Sequence, residues 1–80
     1  MIFEWDERKR LQNLRKHGLD LRDCAELFRG HVIAIPDDRY DYPEGRWFAL
    51  GLLEHHVVAV AYAEVGETIR VISMRKGKQE

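Results

Sequence analysis

Residues 46–74 read RWFALGLLEHHVVAVAYAEVGETIRVISM, three apolar runs separated by two short polar breaks. The breaks, Glu54-His55 and residues 64–67 around Gly66, are short enough to close antiparallel hairpins. Strands are therefore expected over residues 46–53, 56–63 and 68–74. From Val57 to Ala63 the chain is apolar throughout. Such a run belongs in the middle of a sheet with both faces at least partly covered, and helices on one face would supply part of that cover.

Upstream of this block, Val32-Ile33-Ala34-Ile35 is a short, mostly β-branched run ended by Pro36, which adds a fourth strand. Between them PDDRYDYPEG, residues 36–45, holds both prolines and the carboxylates Asp37, Asp38, Asp41 and Glu44. It reads as a long acidic loop or hairpin tip. Nearer the N-terminus, Asp6 is a good N-cap for a helix running to about His17, with Gly18 as the residue after it and Leu19 placed to touch Leu14. Asp20 caps a second helix whose apolar positions Leu21, Cys24, Ala25, Leu27 and Phe28 keep the helical period until Gly30. The chain shows no repeat, low-complexity stretch or linker. The architecture expected is one α+β domain over residues 1–80, with two N-terminal helices packed on a mostly antiparallel sheet of about four strands.

At 80 residues, with 45% hydrophobic and 34% charged side chains, the composition suits one compact domain and excludes a disordered chain. A formal net charge of -1 means that nucleic-acid binding has to come from a local basic patch, which argues against a non-specific nucleic-acid coat. Cys24, the single cysteine, has no partner for an internal disulfide and sits among apolar residues at helical spacing, so it is read as core. No apolar run approaches the roughly 18 residues of a membrane span. The opening MIFEWDE lacks the basic and apolar segments of a signal peptide. No membrane association is expected, and the cytoplasm is the default compartment.

Phosphodiester chemistry is suggested by two groups of residues. On the first helix Lys9, Asn13, Lys16 and His17 share one face, with Leu11, Leu14 and Gly18 on the far side. That face is either simply solvated or a surface for RNA. The strands carry Arg46, Arg70 and Arg75, followed by Lys76 and Lys78. These are either surface arginines loosely paired with Glu44, Glu64 or Glu67 or phosphate ligands, since a guanidinium fork grips two phosphate oxygens and keeps its charge through a reaction. Strand parity, however, sends Arg70 and Arg75 to opposite faces unless a bulge or the strand end reorients one of them. Cleavage of RNA by its own 2′-OH also needs a proton acceptor and a proton donor, and Glu44 or His17 can be the base. The sequence does not choose between them. His55 and His56 fall at a hairpin turn, and His31 beside Gly30 is no better placed. Four scattered histidines and one cysteine make no zinc spacing, nor do the loop acids follow a calcium-loop pattern, so neither metal nor cofactor is expected. Trp5, Trp47, Tyr40, Tyr42 and Tyr62 are of the type that stacks on bases in single-strand binders, although Trp5 and Tyr62 better suit the core. Tyr40 and Tyr42, set among loop carboxylates that phosphates avoid, suit contact with a protein or plain solvation.

The spacing Phe3-x-Trp5-Asp6, Lys9, Asn13, Lys16-His17-Gly18 resembles the opening of the BrnT toxin family. Ala25 and Phe28, then Glu44-x-Arg46, Gly51 and the run Ile69-Arg70-Val71-Ile72-Ser73-Met74-Arg75-Lys76 fall where that family has similar residues in the same order. The likeness covers nearly the whole chain. It implies a compact fold similar to the RelE ribonucleases and RNA cleavage that stops translation. It also implies neutralisation by a BrnA-like antitoxin, which covers the cationic site and binds the operon's DNA, so that DNA contact is only indirect. By this likeness Arg46, Arg70 and Arg75 are the phosphate-contacting set, with Glu44 and His17 beside them. Lys9, Asn13, Lys16 and Lys76 are the supporting RNA-binding residues. The chain departs from the family pattern at Met74, where alanine is usual, at Ala63, where threonine is common, and at Gly77-Lys78. The alternative reading is a catalytically inactive module that binds the antitoxin and modulates repression.

Overall fold

The computed structural model describes residues 1–77, so Lys78 lies outside the described residues. Five strands are present: β1 Ile2–Trp5, β2 Ile33–Pro36, β3 Gly45–Leu53, β4 His56–Val65 and β5 Thr68–Lys76. They form one sheet in the order β1-β5-β4-β3-β2. Helix α1 spans Glu7–His17 and helix α2 spans Cys24–Arg29. The α+β class is as expected, with two corrections. The sheet has five strands rather than about four, and the helices do not come first. A four-residue strand precedes them and pairs in parallel with β5, from Ile2↔Thr68 to Trp5↔Val71, which makes the sheet mixed. The second helix also begins later than its pattern suggests. Asp20 accepts a hydrogen bond from the Arg22 amide and caps a 3-10 turn at Leu21–Asp23, and the α-helix starts only at Cys24.

Both expected hairpins form. The β3–β4 ladder runs from Gly45↔Glu64 to Leu53↔His56 and closes on Glu54 and His55, both with positive φ (50° and 71°). This is the backbone of a two-residue type I′ turn, built without the glycine or asparagine such a turn favours. The β4–β5 hairpin turns at Gly66, whose φ of 60° suits a residue without a Cβ.

Alternate residues of β4, Val58, Val60 and Tyr62, join Leu21, Cys24 and Leu27 in the core, with Ala49 from β3 and Ile69, Val71 and Met74 from β5. Phe3 from β1 packs at a tilt against Phe28, ring centres 5.8 Å apart, and Phe28 meets Tyr62 edge-on at 5.3 Å. The first strand thus contributes to the same core. Cys24 is fully buried, as expected, and burial pushes its thiol up to about 12. On the opposite parity β4 carries Ala59 and Ala61, both only half-buried. Ala63, on that same parity, is fully buried. The unbroken apolar run therefore packs a core on one face and is at least partly covered on the other, as expected.

Helix α2 approaches β3 most closely at Gly51, where an added Cβ would stand 2.9 Å from Leu27 Cδ2 and 3.0 Å from Val32 Cγ1. Gly51→Ala is expected to cost about 1–3 kcal/mol through this overpacking. Urea denaturation checks it as a lower midpoint at unchanged slope.

Helix α1 is attached in an unexpected way. Asp6 caps it through the Lys9 amide, and Gly18, in the left-handed region, ends it by donating to the Leu14 carbonyl. Yet Leu11 and Leu14 are exposed, and the buried residue of the helix is Asn13. Strand β1 covers only Thr68–Val71 of β5 before the chain turns into α1. Beyond that point Asn13 Nδ2 donates to the Met74 carbonyl at 2.9 Å and its Oδ1 accepts from the Met74 amide at 3.0 Å. The side-chain amide thus does for β5 what a neighbouring peptide group would do, satisfying one residue of a sheet edge. A further bond from Nδ2 to the Leu19 carbonyl, also 2.9 Å, ties down the loop that follows the helix.

Arg10 links the helix to the 3-10 turn by pairing with Glu7 and with Asp20, the latter at 3.0 Å. Asp20 also receives the Arg22 guanidinium and amide. Those Arg22 bonds, more than the charge of Arg10, hold the Asp20 carboxyl down at about 2, against 3.8 normally. A folded-state pKa below the unfolded one stabilises the fold above pH 4, and that contribution is lost as pH falls from about 4 toward 2. In acid denaturation Asp20→Asn is expected to flatten the pH dependence in that window.

Candidate functional site

The backbone register lays all three strand arginines on the face of the sheet opposite the core. Arg46 and Arg70 both pair with Ala63, one from each side. Glu4 extends the row by pairing with Arg70 from β1. Parity alone would turn Arg75 away. The β4–β5 register, however, jumps from Tyr62↔Val71 to Ala61↔Ser73 and leaves Ile72 as an extra residue. This is the bulge that the odd spacing requires. After it Arg75 pairs with Ala59, on the same parity as Ala63. At about 3.3 Å per residue, that places Arg75 about 13 Å along the sheet from the Arg46–Arg70 row. The arginines share a face, but Arg75 stands apart from the other pair. Lys76 pairs with Val58, on the other parity, although it lines a hollow at the strand end together with Arg75.

Arg70 is the electrostatic centre of the row. Its Nε donates to Glu4 at 2.8 Å and its Nη1 to Glu44 at 3.5 Å. Glu4 first, with Glu44 adding to it, pushes the guanidinium further above its ordinary range, so it stays charged. These bonds spend only part of the donor set, and half of the side chain is exposed. Arg46 lies under the loop before β3, its guanidinium 4.3 Å from the Tyr42 ring. Its Nε is buried without a hydrogen-bond partner. In the same loop Arg39 pairs with the nearly buried Asp37 at 2.9 Å and rests over Phe48, 5.1 Å from the ring.

The flank of α1 adjoins this corner. Lys9, Lys16 and His17 line a shallow hollow of about 250 Å³ with Ile72 and Ser73, at the bulge. Lys9 also lines a second hollow with Glu4 and Arg70. Lys9 therefore connects the helix flank to the arginine row, while His17 lies at the far end of that flank. His17 sits in the hollow at the bulge, whereas Glu44 reaches Arg70. Asn13 borders the first hollow, but its amide is committed to the Met74 and Leu19 backbone. It positions α1 and is not free for a ligand. Another hollow, of about 630 Å³, lies elsewhere beside Asp23, Glu26, Arg29 and Glu54, where three carboxylates against one guanidinium disfavour a phosphate. Among the described residues no group of three or more His, Cys, Asp or Glu is placed to hold a metal ion.

Sequence reasoning did not include Glu4 in the site. The alternation Ile2-Phe3-Glu4-Trp5, with one polar side chain between aromatics, is the signal that could have marked it as the outward residue of a short strand. Away from the arginine row the same face becomes apolar, with Leu50, Leu52, Val57, Ile33 and Ile35 between 42% and 69% exposed.

A small α+β protein that sets guanidinium groups beside carboxylates on one sheet face has groups chemically able to hold an anionic ester. Residues 5–80 match the family described as the ribonuclease toxin, BrnT, of type II toxin-antitoxin systems, and the chain belongs to that family. A search of curated proteins finds no match. Membership makes it a type II ribonuclease toxin by family, with an antitoxin as its partner class. No helix among the described residues is long and apolar enough to cross a membrane.

Proposed function

We propose that this chain is an endoribonuclease that cleaves RNA without a metal, with Arg70 and Arg46 holding the scissile phosphate. The single observation that supports this reading is the Glu4–Arg70–Ala63–Arg46 row with Glu44 on the same guanidinium. In the proposed reaction the 2′-OH attacks phosphorus and the P–O5′ bond breaks. The hydroxyl proton passes to a carboxylate, the leaving 5′-oxygen takes up a proton from water, and a 2′,3′-cyclic phosphate remains on the other fragment. Arg70 and Arg46 stabilise the charge that gathers on the phosphoryl oxygens. Glu44 serves as base in preference to His17, because it is bonded to the guanidinium that binds the phosphate. Arg75 and Lys76, further along β5, contact a neighbouring phosphate, and Lys9, Lys16 and His17 guide the strand past the bulge. The site acts in the cytoplasm, where its RNA is.

The partner in this reading is a BrnA-like antitoxin that covers the open face, DNA being reached only through it. The exposed aliphatic residues beside the arginine row support that, because contiguous apolar surface of this kind marks an interaction site. Purified protein is expected to degrade RNA in the presence of EDTA, and its expression to arrest growth until the antitoxin is co-expressed. RNA left intact by pure, folded protein would remove the enzymatic reading. A second reading has one observation in its favour: Glu4 and Glu44 both occupy Arg70. If the carboxylates block the site, the protein is an inactive module that binds the antitoxin and modulates repression, and the complex forms with no growth arrest.

A further inference from the structure

We infer that Tyr40 is a stacking platform for one unpaired base of single-stranded RNA, next to the nucleotide whose phosphate Arg46 and Arg70 bind; this rests on the proposed ribonuclease reading. The loop between β2 and β3 is not a loose acidic tip. The Asp37 amide donates to the Arg46 carbonyl at 2.8 Å and prolongs the β2–β3 ladder. The Asp37 carboxylate is turned inward, bonded to Arg39 and approached by the Tyr42 hydroxyl. Its charge is thereby matched inside the loop and does not confront a ligand.

Alongside the exposed carboxylates of Asp38 and Asp41, the loop presents an alternation of rings and guanidinium groups. Arg39 rests over Phe48 at 5.1 Å and near Tyr40 at 5.8 Å. Tyr40 meets Tyr42 edge-on at 5.9 Å, and Tyr42 lies 4.3 Å from the Arg46 guanidinium. The series therefore leads from Tyr40 to the arginine row. Tyr40 is 69% exposed, an aromatic ring braced by neighbours and left open to solvent. Aromatic rings and guanidinium planes are the surfaces on which unstacked bases settle, and they do so with little regard to base identity. A paired base has no free face to offer, so the preference is for single strands.

The test is binding of a short fluorescent 2′-O-methyl oligonucleotide, which lacks the attacking hydroxyl and stays intact. Tyr40→Ala is expected to weaken its affinity about 5- to 100-fold. Tyr40→Phe keeps the ring and is expected to bind within about twofold of the parent, with both variants melting at the parent temperature. Affinity for a duplex of the same sequence is expected to be unaffected by Tyr40→Ala. Parental affinity in Tyr40→Ala, alongside a loss in Arg70→Ala, would overturn the platform and leave the phosphate site standing. An oligonucleotide that does not bind the parent protein would overturn both.

Discussion

Arg70→Ala is expected to lower RNA cleavage about 10²–10³-fold, the usual loss when a preorganised group aimed at developing charge is removed. Folding should hardly change. The Arg70–Glu4 pair is about half exposed on both sides, and exposed pairs contribute only tenths of a kcal/mol. The measurement is therefore a pair: initial rates on a labelled RNA and the melting temperature of the same preparation. Arg70→Lys sharpens it, since lysine restores the charge without the planar fork. An activity near that of alanine would show that geometry matters beyond charge. Cleavage at the parental rate in Arg70→Ala would remove Arg70 from the mechanism.

Asn13→Ala should damage stability instead. Its amide makes three bonds to buried backbone, two of them to the amide and carbonyl of Met74. Truncation deletes these and leaves the freed backbone groups under-satisfied, at about 1–3 kcal/mol for each that water does not reach. A total of about 3 kcal/mol is expected, which in a domain of this size lowers the melting temperature by about 10–25 °C. Asn13→Asp should not rescue it, because a carboxylate keeps the acceptor for the Met74 amide but faces the Met74 and Leu19 carbonyls with like charge. A melting temperature unchanged in both variants would mean that α1 is held by something other than this amide.

These two residues also show what the sequence disclosed and what it did not. The hairpins over β3, β4 and β5 were legible because their breaks are short and their apolar runs long. The arginines stood out by chemistry as candidates for a phosphate, and the need for a bulge followed from the odd spacing of Arg70 and Arg75. The position of the bulge did not, because an extra residue such as Ile72 shows itself only against its partner strand. Strand β1 carries its alternation over only four residues, and Asp6 drew the reading toward the helix it caps; with β1 unread, Glu4 went unassigned. Asn13 was grouped with Lys9 and Lys16 because all lie on one polar helix face. Whether a polar face meets water or an open strand edge depends on where β1 ends, a fact of tertiary structure. For the same reason Leu11 and Leu14, the apolar side of α1, are exposed.

The strand order has a consequence for synthesis. Because β5 lies between β4 and β1, neither the first strand nor the core has its neighbour until residues 68–76 exist. Pairings so distant in sequence form late, once the intervening loop has been closed. A nascent polypeptide emerging from the ribosome would thus carry Glu4, Arg46 and Glu44 with nothing to gather them. On the proposed ribonuclease reading, the nascent chain would therefore be inactive until this strand has been threaded into place.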